Sequence, residues 1–328
     1  MEKICLGIEG TAHTIGVGIM EDTGKILTNK IKMYHPAEGG IHPREAANHH
    51  AQYIVPLISE AINDAEISVQ DLNLIAFSQG PGLGPCLRTA ATSARALALS
   101  LKLPLIGVNH CIAHLEIGRI TGATDPILLY VSGGNTQVIA YVKGRYRVFG
   151  ETLDIGIGNM LDKFGRTAGL NFPAGADIEK FALKKPQQFI ELPYSVKGMD
   201  ISFSGILTAS QNLYKTGTPI ENLCYSIQET TFGMLTEVTE RAMAHTEKKE
   251  ILLGGGVACN QRLQAMIKQM AHDRGANFFV PEKGLCIDNG AMIAWLGLIM
   301  HNAGVTMTIN ETDVRQRFRT DAVDVIWR

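Results

Sequence analysis

The 328-residue sequence predicts an α/β protein made of two duplicated lobes. Residues 4–20 and 127–142 follow one unusual plan, in which an apolar strand, a turn of small residues and a second strand succeed one another. Strands then alternate with helical segments, which is typical of α/β layers. The chain is also longer than one hydrophobic core usually supports. Together these observations favour two lobes that each contain a sheet.

The first half predicts one lobe in a regular order of elements. Residues 42–65 have a helical pattern with a proline near their start, and residues 72–80 form a short buried strand. From residue 80 a glycine–proline loop opens a helix packed with small residues, and a strand follows that ends near residue 108. We therefore expect an N-terminal lobe over residues 1–118.

The second half predicts the other lobe, over residues 119–296. After the repeated hairpin come a polar irregular stretch at 184–205 and a long helix across 219–247. Residues 251–263 form a buried strand that breaks at three glycines into a helix. A C-terminal helix over about residues 297–328 is expected to rejoin the first lobe.

Net charge, cysteine content and apolar runs limit the classes of protein to which the chain could belong. The net charge of −2 gives no overall basic field for binding nucleic acid without help. Of two local basic clusters, residues 143–147 predict a hairpin turn and residues 315–319 a solvated tail. Six scattered cysteines without a CxxC pair favour a reducing compartment. The sequence has neither the apolar core of a signal peptide nor a run long enough to cross a bilayer, so we expect a cytoplasmic protein with no membrane contact.

Two neighbouring motifs suggest chemistry. His110 and His114 are four residues apart, which on a helix places both imidazoles on one face, where they can share a cation. The turn at 132–135 between two strands exposes backbone N–H groups that can hold a phosphate, and the glycines at 254–256 form a second such turn. Each motif has an ordinary alternative: a histidine pair without a ligand, a tight hairpin and a plain βα turn. Their proximity favours a nucleotide-dependent metalloenzyme.

The motifs together resemble the actin, Hsp70 and sugar-kinase superfold, and more narrowly the TsaD family, also called YgjD or Gcp. The resemblance covers almost the whole chain. It implies two duplicated α/β lobes with nucleotide and active site in the cleft between them. The matching motifs occur in the family's order: NHCIAHLE, YVSGGNTQ, GNMLDKFGR, GADIEKFA, ISFSGILTA, LLGGGVACNQRL and CIDNGAMIAW.

The resemblance also implies an activity and partners. Members transfer a threonylcarbamoyl group from threonylcarbamoyl-adenylate to N6 of adenosine 37, in tRNAs that read codons beginning with A. The product is the t6A nucleoside, and AMP is released. Archaeal and eukaryotic members are the catalytic subunit of the KEOPS complex, which includes a Bud-type kinase and a small dimerising subunit. A threonylcarbamoyl-adenylate synthase supplies the substrate.

The resemblance further implies one metal ion, with iron expected and zinc as the alternative. The ligands would be His110, His114 and Asp288, with Asp288 expected from the other lobe, and Tyr130 as a further ligand in the archaeal and eukaryotic branch. Asp288 could instead cap the helix that follows it. Asn135 stands where bacterial members usually have histidine, so the chain resembles the archaeal type.

The bound nucleotide would be threonylcarbamoyl-adenylate or ATP. No motif identifies a general base; Glu9 is a candidate catalytic residue, and equally a polar group near the cleft. Ala174 and Ala176 depart from the glycine and proline that relatives often have there. The nucleotide-binding residues that the resemblance implies are Tyr130, Val131, Ser132, Gly133, Gly134, Asn135, Asp162, Gly175, Glu179 and Asn260.

The same residues allow other functions to be compared with the transferase. An ATPase or small-molecule kinase of this superfold would hold Mg²⁺ through carboxylates and water, and the histidine pair argues against it. A zinc peptidase would need glutamate directly after the first histidine as general base, and Cys111 is there instead. A scaffold within a larger assembly is the non-enzymatic alternative. Bound iron or zinc would favour the transferase, and magnesium alone the kinase.

Overall fold

The structure, a computed structural model, describes residues 2–36, 39–184 and 187–328. Its contacts divide the chain into two compact units. The first contains the described residues up to Ile120 with Gly144–Tyr146 and Ile287–Arg328, and the second contains Thr121–Lys143 and Arg147–Cys286. The chain thus returns to the first unit from Ile287, whereas the sequence analysis expected the return near residue 297.

Within the described residues the strands are short; five lie in the first unit, and seven lie wholly or mostly in the second. They are β1 (Ile4–Glu9), β2 (Thr14–Glu21), β3 (Ile26–Met33), β4 (Leu74–Gly80), β5 (Leu105–Asn109), β6 (Ile127–Val131), β7 (Thr136–Val142), β8 (Arg145–Glu151), β9 (Val196–Lys197), β10 (Asp200–Ile201), β11 (Glu250–Gly254) and β12 (Asn277–Phe279).

The α-helices of the same residues separate or follow these strands. They are α1 (Pro43–Asp64), α2 (Gly84–Leu101), α3 (His110–Gly118), α4 (Ile157–Thr167), α5 (Gly175–Ala182), α6 (Ser204–Lys215), α7 (Ile220–Thr246), α8 (Gln261–Asp273), α9 (Lys283–Cys286) and α10 (Gly290–Asn302). No helix of the described chain is both long and apolar enough to cross a membrane.

The two large sheets share one strand order, which confirms the predicted duplication. The first runs β3-β2-β1-β4-β5 and the second β8-β7-β6-β11-β12. In the first sheet β1 is antiparallel to β2 and parallel to β4. In the second, β6 is antiparallel to β7 and parallel to β11. The repeated hairpins of the sequence are therefore the first two strands of equivalent sheets.

Close packing of α10 on the first sheet determines where one predicted ligand lies. Strands β1 and β2 are almost entirely buried, as expected for strands covered on both faces. A Cβ on Gly7 would lie 2.3 Å from the amide nitrogen of Ala294, and one on Gly18 would lie 2.1 Å from that of Ala291. Only glycine allows this approach. The residues just before α10, Asp288 among them, are fixed by it.

Most of the elements predicted from sequence are confirmed. The helices expected at 42–65 and 219–247 correspond to α1 and α7, and the buried strand at 72–80 corresponds to β4. The turn predicted in the first basic cluster joins β7 to β8, with positive φ angles of 52° at Lys143 and 79° at Gly144. Part of the stretch at 184–205 forms the β9–β10 hairpin, while residues 185 and 186 lie outside the described residues.

Of two expectations for the C-terminal region, one was wrong and the other was right only in part. The helix expected over about 297–328 ends at Asn302, and Gly304 then has a φ of +90° that takes the backbone out of the helical path. The remaining residues, 305–328, which we call the C-terminal strap, contain only short 3₁₀ turns. The basic cluster at 315–319 has its three arginines exposed to solvent, as expected, but it is not a free tail, because the amide of Arg315 donates to the carbonyl of Gln79 at 2.8 Å.

His50 makes the stability of the first unit depend on pH. It lies buried in α1 with Nε2 3.1 Å from the carbonyl oxygen of Ala12. Burial, followed by the neighbouring His49, lowers the pKa of His50 from 6.5 to about 4. The unfolded chain therefore binds a proton at a higher pH than the folded chain, and stability falls as pH drops from about 6.5 towards 4.

We expect the metal-free protein to lose about 2 kcal/mol of unfolding free energy between about pH 7 and pH 5 through His50 alone. Urea unfolding at both pH values measures this loss. The His50→Gln variant keeps an N–H donor for Ala12 but has no proton to bind, so its loss should be smaller by that amount. Equal losses in both proteins would show that His50 is not the source.

Candidate metal centre and glycine-rich turns

Helix α3 carries both histidines and begins directly at the end of β5. Its N-cap is Asn109, whose Oδ1 accepts hydrogen bonds from the amides of Cys111 at 3.0 Å and Ile112 at 3.2 Å. Every residue of the helix is buried, and the two histidines are 3% and 1% exposed. As the spacing predicts, the imidazoles of His110 and His114 share one face, with ring centroids 4.8 Å apart.

Asp288 meets this histidine pair within the first unit. Its Oδ1 lies 3.3 Å from Nε2 of His110 and 3.3 Å from Nε2 of His114. The helix that follows is capped by Asn289, whose Oδ1 accepts from the amide of Met292 at 3.0 Å. The alternative that Asp288 caps α10 is therefore wrong. So is the expectation that Asp288 comes from the other lobe, since the contacts group it with the histidines.

The three side chains could hold a metal ion. Their ligand atoms all lie within 4.8 Å of one another. Burial works against the charged form of Asp288, but the two imidazoles outweigh it and hold the pKa of this carboxyl well below its ordinary value. Burial also lowers the pKa of His114. An ionised carboxylate beside neutral imidazole is the form that binds metal, and this donor set suits zinc or iron.

Glu9 contacts His110 through Nδ1, the ring nitrogen that does not face Asp288. Its Oε2 is 3.0 Å from Nδ1 of His110, and its Oε1 accepts from the amide and hydroxyl of Thr11 at 2.8 and 2.5 Å. A carboxylate in this position fixes the ring and tautomer of a ligating histidine. The geometry thus gives Glu9 a part in orienting His110, while its direct role in catalysis stays a prediction.

Tyr130 belongs to the second unit and is buried near the end of β6. It is 1% exposed and pairs across the sheet with Gln137 of β7 and Gly254 of β11. A ligand role for Tyr130 stays a prediction.

The turn between β6 and β7 is closed by its own polar atoms. The amide of Ser132 donates to the carbonyl of Asn135 at 2.8 Å, and the amide of Asn135 donates to Oγ of Ser132 at 3.1 Å. Below the turn, the carbonyl of Ser132 accepts from the amide of Gly158 in α4 at 3.1 Å. Among the backbone amides of this turn, within the described chain, those of Gly133 and Gly134 donate to no protein acceptor.

The second glycine turn lies beside the first. Gly255 has a φ of +92°, and a Cβ there would lie 2.3 Å from the carbonyl oxygen of Val131. Because β11 is parallel to β6, with Gly254 opposite Tyr130, both turns leave the same carboxyl edge of the sheet. Ligands of open α/β sheets bind at such edges.

Asn260 and Glu179 stabilise the start of α8. Oδ1 of Asn260 accepts from the amide of Arg262 at 2.9 Å, and its Nδ2 donates to Oε1 of Gln228 at 2.6 Å. Oε1 of Glu179 accepts from the amide of Gln261 at 2.7 Å. Sequence reasoning assigned both residues to nucleotide and missed these capping contacts, although an asparagine just before a helix is a signal for an N-cap.

The two remaining predicted nucleotide residues lie near α5. Oδ1 of Asp162 accepts from the amide of Ala174 at 2.8 Å, so this carboxylate holds the chain at the start of that helix. Gly175 is the first residue of α5, and a Cβ built on it would meet no atom within 4 Å. The space at Gly175 therefore suits the approach of a ligand, whose contact with either residue stays a prediction.

A family comparison covers most of this chain. The TsaD family profile, described as tRNA N6-adenosine threonylcarbamoyltransferase, matches residues 25–295. His110, His114, Asp288 and both glycine turns lie within the matched residues.

Two curated relatives illustrate the sequence similarity. The tRNA N6-adenosine threonylcarbamoyltransferase of Thermococcus kodakarensis is 58% identical over 325 residues, which covers 99% of each chain. The probable bifunctional tRNA threonylcarbamoyladenosine biosynthesis protein of Methanobrevibacter smithii is 59% identical over 325 residues. This chain spans 60% of the length of that second relative, and is itself 99% covered.

Solved structures of low sequence identity share the fold. HypF of T. kodakarensis superposes with a TM-score of 0.64 at 16% identity, over 92% of this chain and 48% of that one. A ROK family glucokinase from Streptomyces griseus gives a TM-score of 0.50 at 14% identity, over 90% of this chain and 99% of that one. The predicted α/β class, in the superfold of actin, Hsp70 and sugar kinases, is confirmed.

Proposed function

The chain belongs to the TsaD family, tRNA N6-adenosine threonylcarbamoyltransferase, and we propose from this that it forms t6A. The reaction would transfer the threonylcarbamoyl group from threonylcarbamoyl-adenylate to N6 of adenosine 37, in tRNAs that read codons beginning with A, and would release AMP. The observation that carries this proposal is the 58% identity to the T. kodakarensis relative over 99% of both chains. The His–His–Asp group, in which both histidines are buried, adds chemical support.

The metal would be held by His110, His114 and Asp288, with Tyr130 as the further ligand. Iron is the proposed ion, and zinc the alternative. When bound, it would supply Lewis acidity towards substrate oxygens. The protein's own contribution is to keep Asp288 ionised and to hold the ring of His110 through Glu9.

The nucleotide would bind at the carboxyl edge of the second sheet. Amides of Gly133 and Gly134 would donate to the phosphate of the adenylate or of ATP, where they stabilise the negative charge of the leaving AMP. Carboxylate oxygens, as in Asp162 and Glu179, suit ribose hydroxyls. Gly175 and Asn260 would border the same ligand.

The tRNA would be bound with help from other proteins, since a net charge of −2 gives weak attraction to a polyanion. We propose a KEOPS-type assembly with a Bud-type kinase and a small dimerising subunit, and a synthase that supplies the adenylate. The longer M. smithii relative, whose name describes two functions on one chain, fits such an arrangement. The six free cysteines suit a reducing cytoplasm.

A valine at Gly133 should separate phosphate binding from adenosine binding. A Cβ at this position would meet only Oδ1 of Asn159, at 3.7 Å, so the lobe should fold normally. The branched side chain would keep a phosphate from approaching the amides of the turn. We expect the Gly133→Val variant to bind ATP and the adenylate at least about tenfold more weakly, while adenosine binds as before.

Isothermal calorimetry with the three ligands measures this difference. A Gly233→Val variant is the matched control, because Gly233 lies in α7, outside both glycine turns, has no positive φ, and leaves open space for a Cβ. An equal loss for ATP, adenylate and adenosine at Gly133 would mean that the turn only shapes the lobe.

The proposed reaction is tested on unmodified tRNA supplied with ATP, threonine, bicarbonate, synthase and the partner subunits. Nucleoside mass spectrometry should detect t6A in a tRNA with adenosine 37, and none in the same tRNA with guanosine 37. Phosphoryl transfer to a small molecule without any t6A would instead identify a kinase of this superfold.

A further inference from the structure

The helix that carries the histidine pair also carries a buried carboxylate that the proposed reaction does not use. Glu116 lies two residues after His114 in α3 and is 0% exposed. Its Oε1 accepts a short hydrogen bond from the hydroxyl of Tyr146, and its Oε2 accepts from Nη1 of Arg119 at 2.7 Å. Nε of Arg328 lies 3.9 Å from Oε1.

The partners of Glu116 come from separate segments of the first unit. Tyr146 is fully buried at the start of β8, and Arg328, with a side chain 8% exposed, is at the end of the C-terminal strap. In the same group, Nε1 of Trp327 donates to the hydroxyl of Tyr146 at 3.3 Å. Nε1 of Trp295, in α10, donates to the carbonyl of Glu116 at 3.1 Å.

The contacts of Glu116 resist displacement because its carboxylate is buried. A carboxylate removed from water is strongly unfavourable unless charged and hydrogen-bonding groups surround it. Burial, followed by Glu116 itself, raises the pKa of Tyr146 above its ordinary value, so the phenol remains a hydrogen-bond donor. Any displacement of the end of α3 would leave either the carboxylate or an arginine poorly paired.

The strap holds the other end of α3 as well. Nδ2 of Asn109, the N-cap residue, donates to the carbonyl of Phe318 at 3.1 Å. The strap is itself fixed by Gln79, whose Nε2 donates to the carbonyls of Glu311 and Asp313 at 2.8 Å each. Both ends of the nine-residue helix are therefore tied to residues 305–328.

We propose that Glu116 is a positioning residue of the metal centre: held by Tyr146, Arg119 and Arg328, it fixes the C-terminal end of α3 and so the approach of the His114 imidazole to Asp288. This inference rests on the proposed metal centre. The hydrogen bond from Trp295 to the carbonyl of Glu116 also joins α3, which carries the two imidazoles, to α10, which follows Asp288.

Metal ligands require placement to within about 0.5 Å, and loss of a supporting contact commonly weakens metal binding about 10- to 100-fold. Glu116 contacts no ligand atom, so its effect must pass through the helix. We expect Glu116→Gln to weaken Zn²⁺ binding about tenfold, and Tyr146→Phe, which removes one hydroxyl, to weaken it by less.

The experiment uses the full chain and the metal alone as probe. Zn²⁺ affinity is measured by competition with a chromophoric chelator, and the visible absorption of the Co²⁺-loaded protein reports the ligand geometry. The matched control is Glu250→Gln in the second unit, whose carboxylate accepts from the amides of Thr124 at 2.8 Å and Asp125 at 2.7 Å. Melting temperatures are recorded for all variants.

Weaker Zn²⁺ binding with an altered Co²⁺ spectrum at Glu116→Gln and Tyr146→Phe, together with unchanged values at Glu250→Gln, would support the proposal. Unchanged affinity and spectrum in a folded Tyr146→Phe or Glu116→Gln protein, whatever the melting temperature, would overturn it. His110→Ala distinguishes this failure from failure of the metal centre, because full Zn²⁺ binding in that variant would reject the centre itself. Should Glu116→Gln not fold, Tyr146→Phe decides the outcome.

Discussion

Replacing His110 or His114 by alanine is expected to weaken metal binding strongly and to remove most t6A formation while the protein stays folded. One ligand of such a site is worth about 3 kcal/mol, roughly a quarter of the binding free energy typical of zinc, so affinity should fall about 100-fold or more. Helix α3 should persist because its Asn109 cap is unaffected and alanine favours helices.

Metal content, circular dichroism and t6A yield measure the three parts of this prediction. The control is His272→Ala, whose side chain is 84% exposed and far in sequence from the histidine pair. That variant should retain both metal and activity. A folded double variant of His110 and His114 that still holds one metal per chain would place the metal elsewhere.

The Asp288→Asn variant is expected to have the second largest effect. Asparagine has nearly the same shape, but it lacks the negative charge that the two imidazoles favour at Oδ1. We expect about 100-fold weaker metal binding and a comparable loss of transfer, with little change in stability. Chelator competition and thermal unfolding measure the two quantities.

The neighbouring residue provides the opposite control for Asp288→Asn. Asn289→Ala removes the N-cap of α10, and should cost about 1 kcal/mol of stability with only a small effect on metal affinity. If Asp288→Asn destabilised the fold and kept its metal, Asp288 would be a helix cap and not a metal ligand.

Regular local patterns made most of the fold predictable. The two hairpins and the helices α1 and α7 have continuous periodic patterns, and each was recognisable without its tertiary partners. The region after α10 was not predictable in this way. Its backbone after Gly304 is held by Gln79 and Asn109, more than 200 residues away in sequence, and such contacts leave no local pattern.

The candidate site was predictable only in part for the same reason. Spacing alone indicated the histidine pair, while Asp288 came from the resemblance of its motif to the family. The contact of Glu9 with His110 joins residues 101 positions apart, and it exists because β1 and β5 flank β4 in one sheet. The capping role of Asn260 was visible in the sequence, but a nucleotide role was assigned to it instead, and the cap of α10 was considered at Asp288, one residue before the actual N-cap, Asn289.

The most direct test of the central claim is to return metal to the metal-free protein and follow t6A formation. Iron(II) or zinc(II) is added stepwise, and t6A is measured by mass spectrometry at each metal content. The account predicts that activity is absent without metal, rises in proportion to metal bound and levels off at one ion per chain, and that Asp288→Asn shows no such rise. Full t6A formation by metal-free protein would contradict it.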